Sequence, residues 1–269
     1  MRFRAVNDQA PLALLGLNPN TIMDNVNQYD GFLGSSLAPA ALKGRFLLDA
    51  FGRLEWLDRP RLDADHFVAM HRNPEKTLPH SYFLPDARDG PITLRFPYAV
   101  SLVRVALMPR VHELVAGRTG WSGMYATDHP AGALPLMAAI CEAFVDLANS
   151  RGQRTLIVML PLANSFREQA NYGEFEYAPL VAALAAKGIE VLDPGAAMLG
   201  ALGGRSYCEF FAWPVIGEPS PHNFQHYATA VKAWFRSRLP CGGHYSSFGN
   251  TTMAKLVAAE LRRRDFLKR

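Results

Sequence analysis

Cysteine is scarce in this sequence, and none of it stands at a metal-binding spacing. The 269 residues include three cysteines, and Cys141, Cys208 and Cys241 form no Cys-x-x-Cys pair. A zinc knuckle and a framework of several disulfides are therefore excluded, while a single Cys208–Cys241 bridge stays open. His222 and His226 are four residues apart, but no glutamate follows the first of them, so a metalloprotease-type zinc site is not indicated.

Long apolar runs and strong charge are also lacking. No stretch approaches the about 20 uninterrupted apolar residues of a membrane span, and residues 1–8 lack the apolar core of a signal peptide. The formal net charge is +4, and the basic residues are scattered apart from short clusters at residues 262–264 and 268–269. For the chain as written we therefore expect a soluble, cytoplasmic protein with no membrane span and no nucleic-acid partner; a missing N-terminal segment would leave the location open.

Apolar residues, by contrast, are plentiful enough for a well-buried core. They make up 49% of the chain, whose length suits one large domain over residues 1–269. A helix followed by a strand is predicted twice, at residues 133–149 and 154–160 and again at 177–187 and 189–192. Repeated units of this kind predict an α/β fold with a parallel sheet.

The first strand of that sheet is predicted at residues 12–17, a continuous apolar run that ends at Asn18. Functional residues of an open parallel sheet gather at the carboxyl ends of its strands, which makes Asn18 a candidate site residue. A role as a helix cap or in an Asx-turn is equally open. A helix is predicted at residues 21–29, and Asn25 and Asn27 within it are fallback amide donors.

Residues 43–97 are interpreted as an insertion at the rim of the sheet. Two β-prone runs predict a β-hairpin at residues 43–57, and residues 58–97 show little periodicity, which is typical of an excursion over the surface. Further helices are predicted at residues 98–116 and 223–238. The excursion contributes three histidines without metal-ligand spacing: His66, His71 and His80.

His244 is the strongest catalytic candidate in the sequence. Gly242 and Gly243 permit a tight backbone before it, and Ser246 or Ser247 can cap the amphipathic helix that follows. An imidazole on a loop held by such a helix suits a general base, because its near-neutral pKa lets it accept and return a proton. The alternative interpretation is a loop histidine without a function.

Two blocks resemble conserved motifs of the SGNH (GDSL-type) hydrolases. His244-Tyr-Ser-x-x-Gly249-Asn250 is similar to the last block of that family, and Gly16-Leu17-Asn18 is similar to the block whose asparagine donates to the oxyanion. The resemblance implies a three-layer α/β/α, flavodoxin-like fold with a parallel sheet, His244 as the base and Asn18 as the oxyanion donor. Cys241 stands where the family has the aspartate that orients the imidazole.

The Gly-Asp-Ser nucleophile block of that family has no counterpart before the first strand. Eleven residues precede Leu12, whereas one βαβ unit takes about 30 residues. The chain thus resembles the later two-thirds of the family, and we expect it to be N-terminally incomplete, with an open sheet edge that favours dimerisation. Gly34-Ser-Ser-Leu37 resembles Gly-Asp-Ser-Leu and makes Ser36 the alternative nucleophile.

The function implied by the resemblance is that of an esterase or deacylase. Such an enzyme acts by serine acylation without a metal or an organic cofactor, and its substrate here would be a small-molecule or saccharide ester. Truncation allows two outcomes: a chain that has lost its activity, or an active enzyme that uses Ser36 as its nucleophile. The competing hypothesis is a non-catalytic α/β module that binds saccharide or protein through aromatic residues at Trp121 and at residues 207–213.

Overall fold

The structure, a computed structural model, describes residues 10–33, 41–213 and 241–266. Its strands are β1 (Leu12–Leu17), β2 (Arg45–Leu48), β3 (Leu54–Leu57), β4 (Arg154–Met159), β5 (Val191–Leu192), β6 (Phe211–Trp213) and β7 (Gly242–Tyr245). Its helices are α1 (Thr21–Asn25), α2 (Ala64–Arg72), α3 (Pro74–Thr77), α4 (Tyr98–Ala106), α5 (Pro109–Val115), α6 (Ala133–Ser150), α7 (Ala163–Tyr172), α8 (Ala178–Ala186), α9 (Gly195–Ala201) and α10 (Ser247–Arg263). Short 3-10 helices lie at Asp30–Leu33, Ser122–Tyr125 and Tyr207–Phe210.

A three-stranded parallel sheet is formed by strands that the sequence predicted. Its order is β1-β4-β5, and β1 pairs with β4 in continuous register up to the Leu17–Met159 pair. Leu156, Ile157 and Met159 of β4 are fully buried, which fits a continuous apolar run in a parallel strand covered on both faces. The α/β class is therefore confirmed, with α6 preceding β4 and α8 preceding β5 along the chain.

The insertion region holds more regular structure than its sequence suggests. The β-hairpin predicted at residues 43–57 is confirmed as the antiparallel pair of β2 and β3. Residues 58–97, whose sequence shows little periodicity, contain the helices α2 and α3. Asp63 caps α2 by accepting the backbone N–H of His66. An aspartate at this position favours the start of a helix, although the residues that follow show weak helical periodicity.

Two other helices differ in extent from the prediction. The helix predicted at residues 21–29 ends at Asn25, and a 3-10 helix follows. The single helix predicted at residues 98–116 is divided into α4 and α5. Met108, which lies between them, is extended, because a proline such as Pro109 disfavours the helical conformation of the residue before it.

Backbone contacts divide the chain into two compact units. Unit 1 comprises residues 1–18, 141–167 and 184–269, and in its described part it contains the parallel sheet, the β6–β7 pair and α10. Unit 2 comprises residues 19–140 and 168–183 and contains the β2–β3 hairpin and helices α1 to α5. The single domain expected over the whole chain stays a prediction.

One disulfide crosslinks unit 1 and resolves the pairing that the sequence left open. It joins Cys208, in a 3-10 helix, to Cys241, the residue directly before β7, with Cα atoms 5.4 Å apart. Cys241 is buried, whereas Cys141 is buried as a free thiol in α6. The bond therefore fixes the start of the strand that carries His244.

Among the described residues, one helix is long and apolar enough to cross a membrane. This helix is α6, and 44% of its residues are buried within the structure. The core helix of a globular protein meets the same criteria of length and composition, so α6 alone gives little reason to infer a membrane span.

The disulfide should contribute measurably to stability. It links two residues 33 positions apart, and closing a loop of that length stabilises a fold by about 3–4 kcal/mol in the chain-entropy model. A variant with both Cys208→Ser and Cys241→Ala should therefore melt at a lower temperature than the oxidised wild type. A reductant should lower the melting temperature of the wild type alone, and equal melting of all samples would contradict the bond.

Candidate functional site

His244 lies on β7, which pairs antiparallel with β6 in unit 1. It is thus on a short strand rather than on the loop that its flanking glycines suggested. Gly243 has a φ of +81°, a left-handed conformation that glycine adopts without a steric penalty. The His244 side chain is exposed, so its ring is accessible to a substrate.

The neighbouring Tyr245 anchors this strand to the end of the parallel sheet. Its hydroxyl donates a 2.6 Å hydrogen bond to the carbonyl of Pro161, two residues beyond β4. Its ring stacks on Phe211 of β6, with ring centroids 5.5 Å apart. Burial raises the pKa of the Tyr245 phenol, so the hydroxyl keeps its proton and remains a donor at physiological pH.

Helix α10 begins directly after the histidine strand. Ser246 caps it by accepting the backbone N–H of Gly249 at 3.1 Å, which confirms the predicted serine cap. A Cβ atom on Gly249 would lie 2.2 Å from the carbonyl oxygen of Phe210, so a larger residue would force the backbone apart. Asn250 Nδ2 donates to the carbonyl of Tyr245 at 3.2 Å. The glycine and asparagine of this block therefore fix the turn between β7 and α10.

Two consecutive residues directly after β4, Leu160 and Pro161, accept or donate hydrogen bonds at the carboxyl end of the sheet. One holds the end of β1, and the other holds the histidine strand. The backbone N–H of Leu160 donates to the carbonyl of Leu17 at 2.8 Å, directly before Asn18. The next residue, Pro161, accepts the tyrosine hydroxyl described above. Asn18 is exposed, as is His244. Asn18 therefore lies at the end of the sheet at which open α/β folds bind ligands, and Tyr245, the chain neighbour of His244, is bonded at that end.

A disulfide sulfur stands at the position of the aspartate in the SGNH motif that this block resembles. Cys241 lies three residues before His244 and is bonded to Cys208. A disulfide sulfur does not ionise, so it cannot supply the negative charge with which a carboxylate orients and stabilises an imidazolium. The chain therefore offers no carboxylate at this position to orient the imidazole of His244.

Asn25 and Asn27, the fallback oxyanion donors, contribute to the packing of unit 2. Asn25 Nδ2 donates to the sulfur of Met137 at 2.8 Å. Asn27 is fully buried; its Nδ2 donates to the carbonyl of Tyr29 at 2.8 Å, and its Oδ1 accepts the backbone N–H of Phe83 at 3.2 Å. Both amides therefore already have structural partners.

Several other residues singled out by the sequence contribute no site geometry. Three of them, together with a predicted helix, lie outside the described residues: Ser36, His222, His226 and residues 223–238. His66 Nδ1 lies 2.7 Å from Asp63 Oδ1, and His71 Nδ1 lies 3.0 Å from the carbonyl oxygen of Phe67. Across the described part of the chain, no group of three or more His, Cys, Asp or Glu side chains is arranged to hold a metal ion.

The aromatic residues suggested for a binding module are largely engaged in packing. Phe210 and Phe211 are buried, and their ring centroids lie 5.6 and 6.0 Å from that of Phe166. In unit 2, the indole N–H of Trp121 donates to the Glu176 carboxylate at 3.4 Å. These contacts leave less aromatic surface for a ligand than the sequence suggests.

A cavity in unit 2 with a mixed lining of charged and apolar residues is the feature that the sequence interpretation missed. It has a volume of about 230 Å³, and the residues that line it come from three segments within residues 82–89, 109–113 and 120–129. No motif marks these three segments, because folding alone brings them together. The features of the sequence that could have pointed to the cavity are two glycines, Gly120 and Gly123, which lie against charged side chains.

Replacing Tyr245 with phenylalanine should loosen the histidine strand. The change removes the hydroxyl that bonds Pro161, so we expect the free energy of unfolding to fall by about 0.5–1.5 kcal/mol, as measured by urea denaturation. Tyr98→Phe removes an exposed hydroxyl and is the matched control, with an expected change below about 0.5 kcal/mol. Equal losses in the two variants would show that the bond to Pro161 does not stabilise the strand.

Comparisons with known proteins assign no family to the chain. No protein-family model, no curated protein and no solved structure matches it. Its function is therefore inferred from the residues and the geometry described above.

Proposed function

We propose that this chain is an SGNH-type ester hydrolase or deacylase with a three-layer α/β/α fold. In this proposal His244 is the general base and Asn18 donates to the oxyanion. The observation that carries the proposal is the connection of both residues, through hydrogen bonds of their chain neighbours, to Leu160 and Pro161 at the carboxyl end of the sheet. The similarity of both motifs to SGNH blocks supports the same roles.

The chemistry divides between the imidazole and the amide. The neutral imidazole of His244 takes the proton of a serine hydroxyl while the serine oxygen attacks the ester carbonyl carbon. The side-chain N–H of Asn18 donates to the oxyanion that forms, a contribution of about 3–4 kcal/mol in comparable sites. The imidazolium then protonates the leaving alcohol as the C–O bond breaks. Water repeats the sequence on the acyl-serine and releases the acid.

The sequence offers Ser36 as the nucleophile of such an enzyme. The orienting aspartate is replaced by Cys241, whose sulfur is held in a disulfide. Removing the aspartate from a complete triad lowers turnover by about 10⁴-fold. We therefore expect slow turnover even with the serine in place.

We further propose a small-molecule or saccharide ester as the substrate. The exposed positions of His244 and Asn18 suit an ester carried on a group that extends beyond the site.

The cytoplasmic location expected from the sequence stays a prediction. The Cys208–Cys241 bond weighs against it, because structural disulfides persist mainly in oxidising compartments.

We also propose dimerisation through the edge of β1. Within the described residues β1 pairs with β4 alone, and its Leu14 is 47% exposed. Unpaired strand edges recruit strands of other chains, and a lysine on the edge opposes this. Leu14→Lys should therefore shift the sedimentation coefficient from dimer to monomer, whereas the control Val103→Lys, on α4, should not. A wild type that sediments as a monomer at every concentration would contradict the proposal.

Turnover of p-nitrophenyl acetate tests the hydrolase proposal. His244→Ala removes the general base, so we expect kcat/KM to fall by about 10²–10⁴-fold. His66→Ala removes an exposed histidine of unit 2 and controls for hydrolysis by surface imidazoles; this variant should keep the wild-type rate. Equal rates in all three proteins would reject the enzymatic function and favour the non-catalytic binding module.

A further inference from the structure

The cavity of unit 2 is small and is lined by charges of both signs. Its charged lining consists of Arg88, Asp89, Arg110 and Glu113. Its volume of about 230 Å³ lies below the about 300–1,000 Å³ of pockets that enclose drug-sized ligands. The cavity therefore suits a compact, polar ligand.

Three of the four charged side chains are built into the cavity wall. Asp89 is 7% exposed, and its carboxylate accepts the hydroxyl of Tyr82. The guanidinium of Arg110 lies 5.8 Å from the centroid of the Phe83 ring and donates to a backbone carbonyl at 3.3 Å. Glu113 is partly buried, whereas Arg88 is exposed and so lies at the open side of the cavity.

Two glycines leave the room that these side chains occupy. A Cβ atom on Gly123 would lie 2.3 Å from Oε1 of Glu113, and one on Gly120 would lie 3.1 Å from Nε of Arg110. Burial, together with the negative charge of Asp89, raises the pKa of Glu113. The wall thus holds two acidic side chains, Asp89 and Glu113, close enough for the charge of the first to raise the pKa of the second.

His129 adds a neutral donor to the lining. Its Nδ1 accepts the backbone N–H of Ala131 at 3.3 Å, so the proton of the neutral ring is on Nε2. Burial of the ring lowers the pKa of His129, which favours this neutral form at physiological pH. Its ring lies 5.6 Å from that of Tyr82, and the two rings form one side of the cavity.

We propose that this cavity binds a small zwitterion of the amino-acid class. The carboxylate of the ligand would pair with Arg88 and Arg110, and its ammonium group with Asp89 and Glu113. The formal charges of these four side chains cancel, so a ligand ion of one sign would meet repulsion as well as attraction. A ligand that carries both signs pairs with both sets, through charge-assisted hydrogen bonds that are stronger than neutral ones.

This site does not depend on the proposed hydrolase function. Every residue that lines the cavity belongs to unit 2, whereas His244 and Asn18 belong to unit 1. Binding can therefore be measured on the full chain whether or not it hydrolyses esters.

Ligand binding to the full chain tests the proposal. The common L-amino acids are screened by thermal shift, and the one that raises the melting temperature most is titrated by calorimetry. We expect saturable binding, with the deaminated acid and the decarboxylated amine of the same ligand binding at least about tenfold more weakly. The proposal is overturned if no amino acid binds, if either analogue binds as tightly as the parent, or if inorganic phosphate or glucose binds more tightly.

Variants then locate the binding in this cavity. Gly123→Ala displaces Glu113, and Glu113→Gln removes its charge while keeping its shape, so each should weaken binding at least about tenfold. Gly200→Ala in α9 meets no atom within 4 Å and should bind as the wild type does. Circular dichroism verifies the fold of each variant. Wild-type affinity in a folded Glu113→Gln protein would place the ligand elsewhere and reject the site.

Discussion

The parallel pairing of β1 with β4 is the constraint on which the candidate active site depends. Continuous register up to Leu17 and Met159 fixes where both strands end, and the Leu160 N–H extends the pairing to the residue before Asn18. The Tyr245 hydroxyl then joins the histidine strand to Pro161. One backbone bond and one side-chain bond, on consecutive residues, thus hold the residue before Asn18 and the residue after His244 at the carboxyl end of the sheet.

The second constraint is the crosslink at the start of β7. A carboxylate in the position of Cys241 would orient the imidazole chemically, whereas the disulfide to Cys208 restrains the strand mechanically. Restraint of the backbone narrows the positions open to the ring without stabilising its charged form. In the hydrolase that we propose, this difference is the physical reason for expecting slow rather than efficient acyl transfer.

Local signals in the sequence predicted much of the part of the fold that carries the site. The apolar run at Leu12–Leu17, the β-branched run at Arg154–Met159 and the serine cap of α10 each follow from residues close in the chain. What was missed depends on contacts between distant segments. The amides of Asn25 and Asn27 are engaged by residues far along the chain, such as Met137, and no pattern in one segment reports that.

The cavity of unit 2 depends even more on contacts between distant segments, which the sequence does not reveal. Asp89, Arg110 and His129 come from three segments that share no motif, and only their convergence gives a lining of balanced charge. The two glycines were visible in the sequence, but their neighbours were not. Sequence reasoning therefore proposed a site in unit 1 and overlooked the cavity in unit 2, which is defined by shape and charge.

Labelling with a fluorophosphonate tests the central claim about His244 most directly. This reagent modifies a serine whose hydroxyl is activated by a neighbouring base, and mass spectrometry identifies the modified residue. We predict modification of one serine in the wild type and its loss in the His244→Ala variant. An unmodified wild type, or a serine modified equally in both proteins, would contradict the claim that His244 acts as a general base at the end of the sheet.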